Sequence, residues 1–298
     1  MANKIKSQRH MGRRYQGRID GASFGRNAVD LEAKVTFHAP MVASLVELSD
    51  AASVDRAART LFGSALDSRP AVSHSAAAWN DPASEMLTAI RINEYGPKSD
   101  LDFLSLHIAR ARADAIIITG KILRDEPTLG YDLRADTRWG DALLQWRERR
   151  WGLWEPPWLL ILTAGGQIDF AHPALHGWVN PVIFTSDRTA ERTLADSPIP
   201  VVADDAPDIR RAIHHLQTSK DCQCISIEAG PSTALTLYDR PTMVSELLLS
   251  VNLDKTLDDR AKGPAVIELA RLRRRFRSET SATHSRQGQR WSFHRLRR

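Results

Sequence analysis

Between residues 86 and 253, short apolar runs alternate with segments of helical period, and this alternation constrains the fold most. The runs "MLTAIRI" (86–92), "DAIIIT" (114–119), "WLLILTA" (158–164), "PVIFTS" (181–186), "IPVVAD" (199–204), "CISIEAG" (224–230) and "SELLLSVNL" (245–253) predict strands. The segments "DLDFLSLHIARARA" (100–113) and "APDIRRAIHHLQTS" (206–219) predict helices, and "PSTALTLYD" (231–239) opens another. In the second of these, Pro207 suits a first turn and Asp208 the positive helix end. Short apolar strands separated by helices define an α/β domain with a mostly parallel central sheet. "RWSFHRLRR" at the C-terminus alternates as a final strand. Upstream, "VDRAARTLFGSAL" has helical spacing, whereas "DSRPAVSHSAAAWNDPAS" (67–84) reads as a linker. This predicts an N-terminal extension over 1–84, partly disordered, followed by the main domain over 85–298.

The chain of 298 residues is 42% hydrophobic, enough to bury a core. No apolar window reaches the ~18 residues of a membrane span, and the N-terminus lacks a secretory signal. The two cysteines, Cys222 and Cys224, read as ordinary thiols of a reducing compartment, so a cytoplasmic protein is expected. The net charge of +5 is uneven: residues 1–18 carry +6, residues 271–298 carry +9 and the body carries −10. Both ends read as solvated tails suited to weak binding of polyanions.

Two strand ends look like ligand-binding turns: Thr119-Gly120-Lys121, and Glu228 through Gly230-Pro231-Ser232-Thr233. Open α/β sheets bind ligands beyond the carboxyl ends of their strands. Glycine there lets the backbone approach a phosphate, and a helix starting at Pro231 directs N–H groups at an anion. Several chemistries are excluded. Ala115 stands where a P-loop needs glycine, and no G-x-G-x-x-G occurs. No H-x-E or C-x-x-C builds a zinc deaminase site, and no metal site is expected. "GASFG" (21–25) spells a nucleophile elbow, but "RRYQGRID" before it is no hydrophobic strand.

"RARADAIIITGKILRDEPTL" (110–129), "IEAGPSTAL" and "VSELLLSV" together resemble the reductase domain of riboflavin biosynthesis, the C-terminal half of bacterial bifunctional deaminase-reductases. The resemblance covers about residues 86–255. It implies a three-layer α/β/α fold of the dihydrofolate reductase-like type, NADPH as cofactor and a phosphoribosylaminopyrimidine as substrate. It also implies a homodimer. Arg110 would contact the substrate phosphate, Leu129 line the substrate pocket and Glu228 hold substrate hydroxyls or the ring. Asn93, with Glu94, would stand in for the substrate motif after the first strand. Gly120, Lys121 and Asp125 would lie against the cofactor. Gly230, Pro231, Ser232 and Thr233 would hold its pyrophosphate, and Thr185 and Ser186 its adenosine ribose.

The sequence departs from the family at Lys121, usually threonine, and at Ala229, usually glycine, where a methyl group would intrude on the cofactor. The deaminase half is missing. Two further readings stay open: the same fold and cofactor with another substrate, or a non-catalytic binding protein using its basic ends.

Overall fold

Residues 115–118 have no solvent exposure at all, as expected of a strand covered on both faces. They form β4 (Ala115–Thr119) in a computed structural model that describes residues 35–36, 47–165, 167–239 and 241–298. Ile116 and Ile118 turn to one face, against Leu123, Tyr131, Leu159 and Ile161. Ala115 and Ile117 turn to the other, against Ile209, Ala212, Ile213 and Leu216 of a helix. The period-2 geometry of a strand thus makes β4 the middle layer of a sandwich.

The described residues lie in one unit, Lys34–Arg298, and their strands join into a single sheet. β5 (Trp158–Leu162), β6 (Asn180–Ser186) and β7 (Val201–Asp204) follow β4 outwards in parallel. On its other side β4 meets β8 (Ile225–Ile227), and then come β2 (Val72–Asn80) and β9 (Glu246–Asn252), all parallel. The antiparallel hairpin β11 (Ser278–Arg286) and β12 (Gln289–Arg297) continues from β9, with β1 (Val35–Thr36) beyond. β3 (Met86–Ile90) pairs with the far end of β2, and β10 (Lys262–Glu268) with β3.

Helices α1 (Ala51–Phe62), α2 (Asp100–Arg112) and α4 (Gly140–Trp151) share one apolar cluster with Leu248, Trp291 and Phe293. Helix α6 (Ile209–Ser219) packs on the opposite face. α3 (Gly120–Asp125), α5 (Asp187–Thr193), α7 (Pro231–Ala234) and α8 (Leu269–Arg273) are short. The expected three-layer α/β/α architecture with a mostly parallel sheet is the one found.

Two expectations are corrected. The stretch 67–84 contains β2, the strand between β8 and β9 at the heart of the sheet. The domain therefore starts well before residue 85, and α1 and β2 are part of it. "VSHSAAAWN" lacks an apolar run because Ala76, Ala77 and Ala78 are small. Pairing on both sides, not hydrophobicity, makes it a strand. The basic C-terminal end is likewise no tail, because 278–297 is almost entirely β11 and β12. Arg295 is ion-paired with Glu246, Arg273 with Glu279 and Arg297 with Asp67. The basic segment 1–18 and the "GASFG" stretch lie outside the described residues.

Candidate active site

From β4 the chain proceeds to β5, β6 and β7 on one side, whereas β8, β2 and β9 lie on the other. The carboxyl ends of β4 and β8 therefore flank a topological switch point, where open α/β sheets bind ligands. Helix α2, capped by Ser99, turns Arg110 inwards beneath this point. Arg110 Nε donates to Glu228 Oε1 at 2.9 Å and Nη2 to Glu228 Oε2 at 2.7 Å. Arg110 Nη1 donates to the Gly130 carbonyl at 3.3 Å, and the guanidinium stacks 4.1 Å from the Tyr131 ring centre.

Both side chains of the pair are almost inaccessible, 2% for Arg110 and 7% for Glu228. Burial opposes the Arg110 charge, but Glu228 outweighs it and holds the proton more firmly than usual. The Tyr131 phenol is pushed well above its ordinary value, by burial first and by Glu228 second.

Glu126 completes the cluster. It follows α3 and is half-buried. Burial raises its carboxyl to about 7; Arg110 opposes the shift, and Glu228 and Asp125 reinforce it. Sequence reasoning passed over Glu126, whose signal was its place beside Asp125 in "RDEPTL".

The expected substrate residues divide. Arg110 and Glu228 do meet, but on each other. The Arg110 fork is spent on Glu228 and Gly130, so the expected contact with a substrate phosphate is replaced by an internal ion pair. Leu129 is half-buried against the cluster that holds Ile118 and Tyr131. Asn93 is not part of this group. Its Oδ1 accepts from Tyr95 and Gly96 N–H, and its Nδ2 donates to the Arg260 carbonyl. The turn after the sheet's first central strand, β2, is instead 81–85, with Asp81 accepting from Ala83 N–H and Ser84 Oγ.

Among the expected cofactor residues, Thr185 is fully buried and donates to the Thr163 carbonyl at 2.7 Å, so it cannot reach a ribose. Ser186 caps α5, accepting from Thr189 N–H at 3.3 Å. Lys121 and Asp125 form an exposed ion pair one helical turn apart. Gly230 caps α7, in which Pro231, Ser232 and Thr233 follow; Ser232 is exposed. Ala229 is 8% exposed and its methyl joins the core, so it does not intrude on a ligand as expected.

A side chain at Gly230 or Gly165 would meet nothing within 4 Å, so the backbone is open at the ends of β8 and β5. Gly120 differs: a Cβ there would lie 2.9 Å from Thr163 Oγ1 and 3.1 Å from Thr163 Cβ. Gly120→Ala is expected to destabilise the protein by ~1–3 kcal/mol through overpacking. Urea denaturation measures it, and an unchanged midpoint would show that Thr163 yields.

Other constellations are structural. Ser292 Oγ, His294 Nε2 and Nδ1, and Glu279 Oε1 follow one another at 2.7 Å each, the order of a nucleophile, base and acid. Ser292 is only 6% exposed, however, and the chain of bonds serves to join β12 to β11. Cys222 and Cys224 are buried, and burial lifts their thiols to about 12 and about 11, far from thiolate chemistry. A polar depression of about 360 Å³, bordered by Ser68, Ser245, Glu246 and Arg297, lies at the amino ends of β2 and β9. It is at the opposite end of the sheet from the switch point. Among the described residues no group of three His, Cys, Asp or Glu could hold a metal, and no helix is long and apolar enough to cross a membrane.

Comparison of folds finds solved structures with the same α/β architecture. A pyrimidine reductase-like protein from Corynebacterium diphtheriae superposes with a TM-score of 0.51 at 16% identity, over 84% of this chain and 99% of that one. RibD from Acinetobacter baumannii superposes with a TM-score of 0.50 at 15% identity, over 77% of this chain. The match spans 58% of that RibD chain, and at such identities the likeness is one of fold. The fold expected from the motifs is thus the fold found. No protein-family model matches the sequence, and no curated protein does.

Proposed function

We propose that the protein is an NADPH-dependent reductase acting on a carbonyl of a phosphoribosylaminopyrimidine, as in riboflavin synthesis. The observation that carries this reading is the cluster of Glu126, Arg110, Glu228 and Tyr131 at the β4/β8 switch point. It is flanked by open backbone at Gly165 and Gly230. NADPH, when bound, would supply the hydride. Gly230, Pro231, Ser232 and Thr233 would hold its phosphates on the open turn, with Lys121, Asp125 and Ser186 along the same row of strand ends. Leu129 and Glu228 would face the substrate. Arg110 would act through Glu228 by fixing both carboxylate oxygens, not by touching a phosphate.

Fluorescence titration with NADPH tests the reading. Saturable binding below ~1 mM is expected, the upper end of ordinary enzyme affinities. No binding at that concentration would overturn it.

A second reading keeps fold and cofactor but changes the substrate. It is favoured by the closure of the Arg110 fork on Glu228, which leaves that position without a phosphate contact. NADPH oxidation with the pyrimidine phosphate, compared with unphosphorylated carbonyl compounds, separates the two. The engagement of Arg273, Arg295 and Arg297 by carboxylates weakens the third reading, a polyanion-binding protein.

A further inference from the structure

We infer that His74 and Tyr238 are positioning residues of this site: together they hold the turn of Glu228, Ala229 and Gly230 from the face of the sheet opposite Arg110. The inference rests on the reductase reading and deepens it, because this turn carries both Glu228 and the open backbone at Gly230.

Parallel pairing sets His74 of β2 beside Ile227, the last residue of β8. Successive residues of an extended chain point to opposite faces, and the turn begins on this alternation. Glu228 takes the α2 face, where Arg110 grips both carboxylate oxygens. Ile227 and Ala229 take the other face, in the apolar cluster they share with α6 and Tyr238. His74 lies on that second face. Its Nδ1 is 2.7 Å from the Tyr238 hydroxyl, and the two rings meet edge to face with centres 5.8 Å apart. The imidazole also bonds the Ala229 carbonyl. A carbonyl only accepts, so with Nδ1 on Tyr238 the proton sits on Nε2, and Nδ1 accepts from the phenol. Burial pushes His74 down to about 4, against the opposing effect of Ala229, so the ring is a neutral link at pH 7.

A polar residue at this place has a cost that its neighbours avoid. Val72, Ala76 and Ala78, the other residues of β2 on the same face, are apolar and pack into the cluster. His74 breaks the series at the level of the turn. A buried imidazole is unfavourable unless its nitrogens are served, and here both partners belong to the segment 229–238.

The contacts close a loop. From Gly230 the chain runs through α7 into the short helical turn Leu235–Tyr238. Thr233 and Ala234 N–H both donate to the Gly230 carbonyl at 3.0 Å. Tyr238 is anchored in its own right. Its carbonyl accepts from Arg275 Nη1 at 3.1 Å and from Thr242 Oγ1 at 3.2 Å, and Phe276 meets its ring edge-on at 6.3 Å. Its hydroxyl then leads back, through His74, to Ala229. Arg110 on one face and His74 on the other thus fix adjacent residues of the turn, the preorganisation a site needs to hold its ligands in place.

The test has two independent arms. In the first, 15N NMR reads the His74 ring in the protein without added ligand, with His74→Gln assigning the signals. A neutral ring protonated on Nε2 is expected at pH 7, and Tyr238→Phe should shift the Nδ1 resonance. A proton on Nδ1, or no response to Tyr238→Phe, would overturn the inference whatever the protein binds. The second arm is fluorescence titration and steady-state turnover with NADPH and the pyrimidine phosphate. His74→Leu should weaken NADPH binding ~2–10-fold, the equilibrium worth of one hydrogen bond. It should raise the KM for NADPH more than it lowers kcat. His74→Gln, which keeps an N–H for the Ala229 carbonyl, should restore most of the affinity. Equal affinity in wild type and Leu variant, or a Gln variant no better than Leu, would also overturn the inference. If the Leu variant does not fold, Tyr238→Phe takes its place, with weaker NADPH binding expected and wild-type affinity counting against the inference. Failure of the wild type to bind NADPH would instead remove the reductase reading on which the inference rests, and the NMR arm keeps the two failures apart.

Discussion

Glu246→Gln is expected to lower the melting temperature by roughly 6–20 °C at pH 7, taking ~3–5 kcal/mol for a broken buried ion pair and ~2–4 °C per kcal/mol. Glu246 is 1% exposed and lies between two arginines that are equally buried. Arg112 Nη2 pairs with Oε2 and Arg295 Nε with Oε1, the latter at 2.7 Å. Ser73 Oγ donates to Oε2 at 3.4 Å. Glutamine keeps the shape but removes the anion between two buried cations, leaving Arg295 only its longer ion pair with Asp67 at 3.5 Å. Burial opposes ionisation of Glu246, yet Arg112 and Arg295 outweigh it and hold the carboxyl below its ordinary value. A lowered carboxyl contributes stability that is full above the unfolded value of about 4.5 and lost as pH falls through the folded value. The gap between wild type and variant should therefore narrow in acid. Replacing the whole triad, by Arg112→Met, Glu246→Leu and Arg295→Met together, should recover much of the loss, because no charge is then stranded. Calorimetry of the two variants checks both statements, and an unchanged melting temperature for Glu246→Gln would refute the first.

Glu228→Gln should have the second largest effect, on stability and on the titration of Glu126 at once. Arg110 would keep its place 2% exposed with a neutral partner, at a cost of ~3–5 kcal/mol if the pair is fully broken. Glu126 would lose the negative neighbour that helps hold its proton, whereas Arg110 would still favour the carboxylate. Its titration midpoint should fall from about 7 towards the ordinary carboxylate range. Carboxyl NMR of the variant measures this. An unmoved midpoint would mean that Glu126 and Glu228 are not coupled.

Much of this architecture can be read locally. The apolar runs that became β4, β5, β6 and β9 need burial on both faces, and their length excludes most other outcomes. Glu228 is legible as the residue that follows an apolar strand, whereas Arg110 is legible only through the resemblance of its motif. β2 is the contrary case. Its alanines and serines have little intrinsic preference for a strand, and the two neighbours that pair with it come from about 150 and 170 residues downstream. The C-terminal arginines read as a solvated end for a similar reason: the carboxylates that neutralise Arg295 and Arg297 lie far off in the chain.

The site shows the same division within a few residues. The strand, the glycine turn and the acidic sequence after it follow from β4 ending where its apolar residues end. Which carboxyl holds a proton near neutrality does not follow. Asp125 and Glu126 are neighbours in sequence, yet Asp125 is exposed and paired with Lys121, whereas Glu126 is half-buried and its carboxyl is raised by burial first. Local sequence determined the sheet and delivered both acids to its carboxyl edge. Only the tertiary structure, by burying one of them more deeply than the other, decided which holds its proton more firmly, because proton affinity depends on desolvation and on neighbours that no local pattern encodes.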